Sequence, residues 1–125
     1  MTKDIRTKLI ELARLRTTWA YSQLNEPLML GLNFDNAYDR DLIGDWLGDI
    51  SFHEFEKGRP LLSVLITHKY GRRDQGDGFY KLCENLYGAD WNVLKSDKKW
   101  ENRLIADCYE FWLNPANYKN FKNDF

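Results

Sequence analysis

Apolar residues recur at helical spacing between positions 3 and 16. Ile5, Leu9, Leu12 and Ala13 share one face, which predicts an amphipathic helix with Thr2 or Asp4 as its cap. Thr17 and Thr18 weaken that helix and begin a turn, and residues 18–21 read as a short extended or turn-like segment. Ser22 is a candidate cap for a second, short helix, limited by Pro27 and ended by Gly31 and Asn33. The clearest helix covers 37–57. Leu42, Ile43, Trp46, Leu47 and Ile50 form its apolar stripe, Asp35 or Asn36 caps it, and Gly58 with Pro60 stops it.

The pattern then changes. Residues 61–68 are almost continuously apolar and β-branched toward the end, which predicts a strand covered on both faces. A lone strand is not stable, so 19–21 or the segment around 29–34 is expected to pair with it. A glycine-rich loop follows at 70–78. A helix over 79–87 is expected to turn Phe79, Leu82, Cys83 and Leu86 inward, with Gly88 as cap. A last helix over 96–113 places Trp100, Leu104, Cys108 and Phe111 on one face and stops at Asn114-Pro115. Beyond it, Tyr118, Phe121 and Phe125 punctuate a polar segment and suggest that it docks on the body. The sequence has no repeat, low-complexity stretch or linker. The expected fold is therefore a single α+β domain over 1–125, mostly helical with a small sheet, its core formed by Trp46, Ile50, Val64, Leu82, Leu104 and Cys108 around strand 61–67.

Composition supports a packed core. The chain has 125 residues, 43% of them hydrophobic, with 7 Phe, 7 Tyr and 5 Trp. The formal net charge of −1 gives no global attraction to nucleic acid or to anionic membranes, so any basic surface must be local. Cys83 and Cys108 both sit on apolar stripes and are expected to be buried and reduced, too few for a disulfide framework or a zinc site. The first residues alternate charged and apolar side chains rather than forming a signal-peptide core, and no run is long enough to span a membrane. A cytoplasmic protein with no membrane partner and no cofactor is the expectation.

Four groups of residues could carry chemistry. Asp45, Asp49, His53 and Glu56 lie on one strip of the long predicted helix, and such a strip could hold a divalent metal if other elements supplied further ligands. The loop Gly71-Arg72-Arg73-Asp74-Gln75-Gly76-Asp77-Gly78 offers glycine amides and two arginines to an anion, although it lacks the Lys-Ser or Lys-Thr of a P-loop. Ser63 lies within the apolar run without the glycines of a nucleophile elbow, and neither His53 nor His68 has a flanking motif. No catalytic residue is therefore assigned. Basic residues are scattered: Lys3, Arg6 and Arg14 near the start, Lys69, Arg72 and Arg73 in the middle, and Lys98, Lys99 and Arg103 on the last helix.

The order of motifs from Thr17 to Phe79 resembles the winged-helix DNA-binding domain of alkylguanine-DNA alkyltransferases and their alkyltransferase-like relatives. Trp19-Ala20-Tyr21-Ser22 stands where that family has a Thr-Tyr-Gly turn. Arg40-Asp41-Leu42-Ile43-Gly44 is similar to the Arg-Ala-Val-Gly segment that opens the recognition helix, with one residue added. Pro60-Leu61-Leu62-Ser63-Val64 resembles the Pro-Cys-His-Arg-Val strand, and Gly76-Asp77-Gly78-Phe79 resembles the close of the wing. The resemblance covers about half the chain. It implies a winged-helix-like core over 17–80, with C-terminal helices and tail over 81–125. It also implies that Tyr21 lies near a phosphate, Arg40 near the base stack, and Arg72 and Arg73 on the wing. Leu61 replaces the reactive cysteine, so alkyl transfer is excluded. The stretch Gly58-Arg59-Pro60-Leu61-Leu62-Ser63-Val64 is also similar to small bacterial proteins of unassigned function.

Three readings follow. The leading one is a non-catalytic winged-helix-like module that binds DNA or RNA through Tyr21, Ser22, Arg40, Lys69, Arg72 and Arg73, with the helix from Ala37 as its groove element. Asp39, Asp41, Asp45, Asp49, Glu54 and Glu56 on that helix oppose phosphate. The alternative is a protein-interaction or inhibitory accessory module that does not bind DNA. The third is a metal-dependent nuclease built on the acidic strip.

Overall fold

The computed structural model describes residues 2–67 and 77–125. Those residues are mostly helical, with one two-stranded parallel sheet, an α+β arrangement of the class expected. Helix α1 spans Thr2–Arg14 and buries Ile5, Leu9, Leu12 and Ala13 as predicted, together with Arg6 and Ile10. Its end is closed by Arg16 in the left-handed conformation (φ 53°), which brings the Thr17 amide back to the Leu12 carbonyl at 3.1 Å.

Strand β1 is Trp19–Ala20 and leads straight into a 3-10 turn, Tyr21–Leu24. Its start is fixed by the Gln23 side chain, whose Oε1 accepts from the Ala20 amide at 2.7 Å. The short helix expected from Ser22 is this turn and the irregular turns after it. Helix α2 is Ala37–Glu56, capped by Asn36, whose side chain accepts from the Tyr38 amide.

The expected strand over 61–68 is corrected. Leu62–Leu65 is a 3-10 turn, and only Ile66–Thr67 forms strand β2 among the described residues. Continuous apolar character reports burial, and burial does not distinguish a strand from a tight turn. Here the turn is enclosed by α1, α2 and α5 (Lys98–Leu113). The Ser63 amide is satisfied by Ser51 Oγ at 3.0 Å instead of by a neighbouring strand, and Ser51 Oγ donates to Ser63 Oγ at 2.6 Å. The partner of β2 is β1, the first of the two segments expected, in parallel register with Trp19 opposite Ile66 and Ala20 opposite Thr67.

Helix α3 is Asp77–Tyr87. Helix α4, Trp91–Ser96, was not foreseen because six residues are too few to show a period; Asp90 caps it, accepting from the Asn92 and Val93 amides. Asp97 caps α5 by accepting from the Trp100 amide. The segment after Pro115 docks as expected, with helix α6 at Pro115–Phe121.

The main core joins α1, α2, the 62–65 turn and α5. A smaller cluster of Leu61, Tyr80, Cys83 and Leu94 lies under α3 and α4. Of the expected core residues, Ile50, Val64 and Cys108 are fully buried, while Trp46, Leu82 and Leu104 are half-buried. The inward face of α5 is Glu101, Ile105, Cys108 and Trp112, about one residue round from the predicted face of Trp100, Leu104 and Phe111. On α3 the most buried residues are Tyr80 and Cys83 rather than Phe79 and Leu82.

Candidate functional site

The residues predicted to meet nucleic acid divide into two groups. Tyr21 is half-buried at the start of the turn after β1, and its ring meets Phe34 edge-on at 4.9 Å. Arg40 is exposed in the first turn of α2 and donates from Nη1 to the Phe34 carbonyl at 2.7 Å. Phe34 thus joins Tyr21 and Arg40 in one corner. Ser22 is exposed beside them in sequence, and Asp39, accepting from the Asn33 amide at 2.8 Å, adds a carboxylate to the same region. Lys69, Arg72, Arg73 and the 70–78 loop, apart from the start of α3, lie outside the described residues. Thr67, one residue before that undescribed stretch, is paired with Ala20, the residue before Tyr21.

Among the described residues the acidic strip gathers no metal-holding group. Asp45, Asp49 and Glu56 are exposed along α2, and among the described residues no three His, Cys, Asp or Glu side chains come close enough to hold an ion. His53 turns away from the strip toward the 115–125 segment. Its Nε2 lies 3.1 Å from the Asp124 carbonyl oxygen, and its ring meets Phe125 edge-on at 4.9 Å.

What His53 joins is a buried ionic cluster that the sequence did not reveal. Glu54, on the last turn of α2, is 0% exposed, and two arginines enclose its carboxylate. Arg6 Nε donates to Oε1 at 2.9 Å; Arg59 Nε donates to Oε2 at 2.8 Å, and Arg59 Nη2 donates to the same oxygen. Gly58 makes this possible. Its φ of +72° turns the chain so that the Arg59 amide reaches the Glu54 carbonyl at 2.9 Å, which brings the Arg59 guanidinium over the carboxylate of the same residue.

The outer edges of both guanidinium groups hold the 115–125 segment. Arg6 donates to the carbonyls of Lys122 at 2.8 Å and Phe121 at 3.0 Å; Arg59 donates to Asp124 Oδ2 at 2.8 Å and to the Asp124 carbonyl at 3.1 Å. The two Arg59 Nη2 hydrogens are used by Glu54 and by the Asp124 carbonyl. His53 Nε2 lies 3.1 Å from that same carbonyl and 3.2 Å from Arg59 Nη2, so it donates to the carbonyl in one tautomer and accepts from Arg59 in the other. Burial lowers the Arg6 pKa, opposed by its Glu54 partner, and the group remains a cation. The Arg59 hydrogen bond holds the Asp124 carboxyl below the usual aspartate range. A depressed carboxyl stabilises the fold above its unfolded value, so this contact is present at neutral pH and is lost as pH falls through the folded value.

A second buried acid, Glu101, accepts from Tyr80 Oη at 3.0 Å, with Lys98 Nζ at 3.4 Å; its other oxygen has no partner among the described residues. The cysteines are free and buried, as expected. Burial pushes the Cys83 thiol up to about 12 and Cys108 higher still, and Cys108 donates to the Leu61 carbonyl at 3.2 Å. Neither thiol is therefore expected to react with an aromatic disulfide reagent at about pH 8 until denaturant is added, since the thiolate is the nucleophile. Rapid release of one equivalent from the native protein would contradict this burial.

Among known proteins, the chain matches no family model, no curated protein and no solved structure.

Proposed function

We propose that the protein is an interaction module whose contact surface is the outer face of α2, and that its partner presents a Lys- or Arg-rich protein segment. The carrying observation is the composition of that face. Tyr38, Asp41, Asp45, Asp49, Phe52 and Glu56 follow one another at steps of three and four residues, so they share a single stripe. All six are exposed, Tyr38 to 71% and Phe52 to 49%. Among the described residues none of the four carboxylates forms an ion pair. Gly44 and Gly48 flank the stripe, and a Cβ at either would meet nothing within 4 Å. Each glycine destabilises a helix interior by roughly 0.5–1 kcal/mol, and no contact among the described residues requires either one. A partner helix pressed against α2 would give them a use, and the carboxylates and aromatic rings match cations.

The same stripe opposes the use of α2 as a groove-reading helix, because exposed acids repel phosphate. The winged-helix nucleic-acid reading is kept as a second one, resting on the Tyr21–Phe34–Arg40 corner next to the strand end at Thr67.

One NMR titration separates the two. A Lys-rich helical peptide is expected to shift the amides of residues 38–56, and Asp45→Lys with Asp49→Lys is expected to abolish the shifts while the fold is retained. Gly44→Ala with Gly48→Ala should raise the melting temperature and weaken the peptide. Duplex DNA near 50 mM salt is expected to leave α2 unmoved. Shifts at Tyr21 and Arg40 with DNA, and none on α2 with peptide, would reverse the order of the two readings.

A further inference from the structure

The arginine cluster lies on the side of α2 opposite its outer face, and its charges balance only with the 115–125 segment in place. Arg6 and Arg59 supply two cations; Glu54 and Asp124 supply two carboxylates. Glu54 is fixed within the core, whereas Asp124 is 46% exposed. Helix α6 contains no fully buried residue. Three cations hold the 115–125 segment through its rings: Arg14 over Tyr118 at 3.9 Å, Arg59 over Phe121 at 5.3 Å and Arg6 over Phe125 at 5.4 Å. Its carbonyls and the Asp124 carboxylate take the four outer guanidinium hydrogen bonds. Tyr118 and Phe121 pack against the main core only half-buried, and an element without fully buried side chains opens more readily than the helices that form the core.

We infer that the surface of Arg59, Arg6 and His53 is an anion site occupied by the chain's own Asp124, and that a small oxyanion, phosphate or carboxylate, displaces the 115–125 segment from it. When the segment leaves, two cations share one buried carboxylate, and four donors lose their acceptors. Buried guanidinium groups tolerate that poorly unless another acceptor arrives. Bare opening is therefore rare, while opening with an oxyanion in the site is favourable: anion and segment compete. The planar forks of both arginines suit a two-oxygen ligand, and His53 Nε2 supplies one more donor in the tautomer that carries its proton there.

Hydrogen exchange of the 115–125 amides tests this, in sodium chloride, sodium phosphate and sodium acetate at equal ionic strength. Phosphate, acetate or both are expected to speed exchange in 115–125 relative to chloride while α1 and α2 stay protected, and the effective salt names the ligand. Asp124→Asn is expected to speed that exchange by about tenfold in chloride, the scale of one charge-assisted hydrogen bond. It should also lower the half-maximal anion concentration. Arg59→Lys keeps the charge but loses the fork, and is expected to abolish the anion response. Equal exchange in all three salts, or an unchanged anion response in Asp124→Asn, would overturn the inference. Either result would leave the cluster as a fixed clamp.

Discussion

Replacing Glu54 with alanine is expected to destabilise the protein by about 3–5 kcal/mol, a large part of the margin of a domain this size. The carboxylate itself contributes little net energy, since its desolvation offsets much of its attraction for the arginines. The loss comes from what remains. Arg6 at 2% exposure and Arg59 at 6% would keep their charges without a buried counterion, only 5 to 6 Å from aromatic rings. Glu54→Gln keeps the shape but exchanges one acceptor for a donor that faces a guanidinium, so it should fall between wild type and alanine. Replacing the whole trio, Arg6→Met with Glu54→Leu and Arg59→Met, should recover much of the loss by filling the same space with apolar atoms. In that variant the 115–125 amides should exchange faster, since the segment's carbonyls and the Asp124 carboxylate have lost the guanidinium donors that hold it in place. Urea denaturation midpoints decide the matter. A loss below about 1 kcal/mol for Glu54→Ala would mean that the two arginines find solvent, and that the cluster is not the closed core described here.

Much of the frame was legible because α1 and α2 carry long apolar periods and standard punctuation. The Ile5–Leu9–Leu12–Ala13 face, the Asn36 cap and the Gly58 stop were all found in place. The need of the apolar run for a partner was also readable, and it narrowed the choice to two segments, of which 19–20 is the one that pairs. The 3-10 turn at Leu62–Leu65 was not, because full burial removes the alternation that separates strand from turn. The face of α5 was misplaced for a related reason. A reading that seeks apolar residues cannot select Glu101 as an inward position, yet Tyr80 makes it one by donating to its carboxylate.

The ionic cluster was illegible for the same reason, compounded by distance. Arg6, Glu54 and Asp124 are far apart in sequence, and each taken alone reads as a surface charge. One signal was available. Arg6 stands directly beside Ile5 on a short amphipathic helix, and Glu54 falls on the continuation of the Ile43–Leu47–Ile50 line, where an acid needs a buried cation. The Arg59 that follows Gly58 is the nearest candidate. The predicted nucleic-acid residues were only partly testable: Tyr21 and Arg40 share a corner through Phe34, while Lys69, Arg72 and Arg73 lie outside the described residues.

Trp112 is the other position where one substitution should have a large effect, and the contrast between two replacements carries the information. Its side chain is 0% exposed, with Phe111 edge-on at 5.0 Å and the Arg6 guanidinium 5.6 Å from its ring centre. Trp112→Ala would open a cavity between α5 and the arginine cluster and remove the surface on which Arg6 rests, so a loss of about 3–5 kcal/mol is expected. The indole Nε1, however, has no hydrogen-bond partner among the described residues. A buried unpaired N–H is itself unfavourable by roughly 1–3 kcal/mol. Trp112→Phe removes that group together with part of the ring volume, and the two effects oppose each other. Phenylalanine is therefore expected to lie within about 1 kcal/mol of wild type. The backbone carbonyl of residue 112, which accepts from Arg14 Nη1 at 2.9 Å, is untouched by either change. Thermal and urea unfolding of both variants give the comparison. If phenylalanine is nearly as damaging as alanine, the indole N–H must gain a partner in solution, and the contact between α5 and the arginine cluster is polar at that point rather than purely a matter of packing.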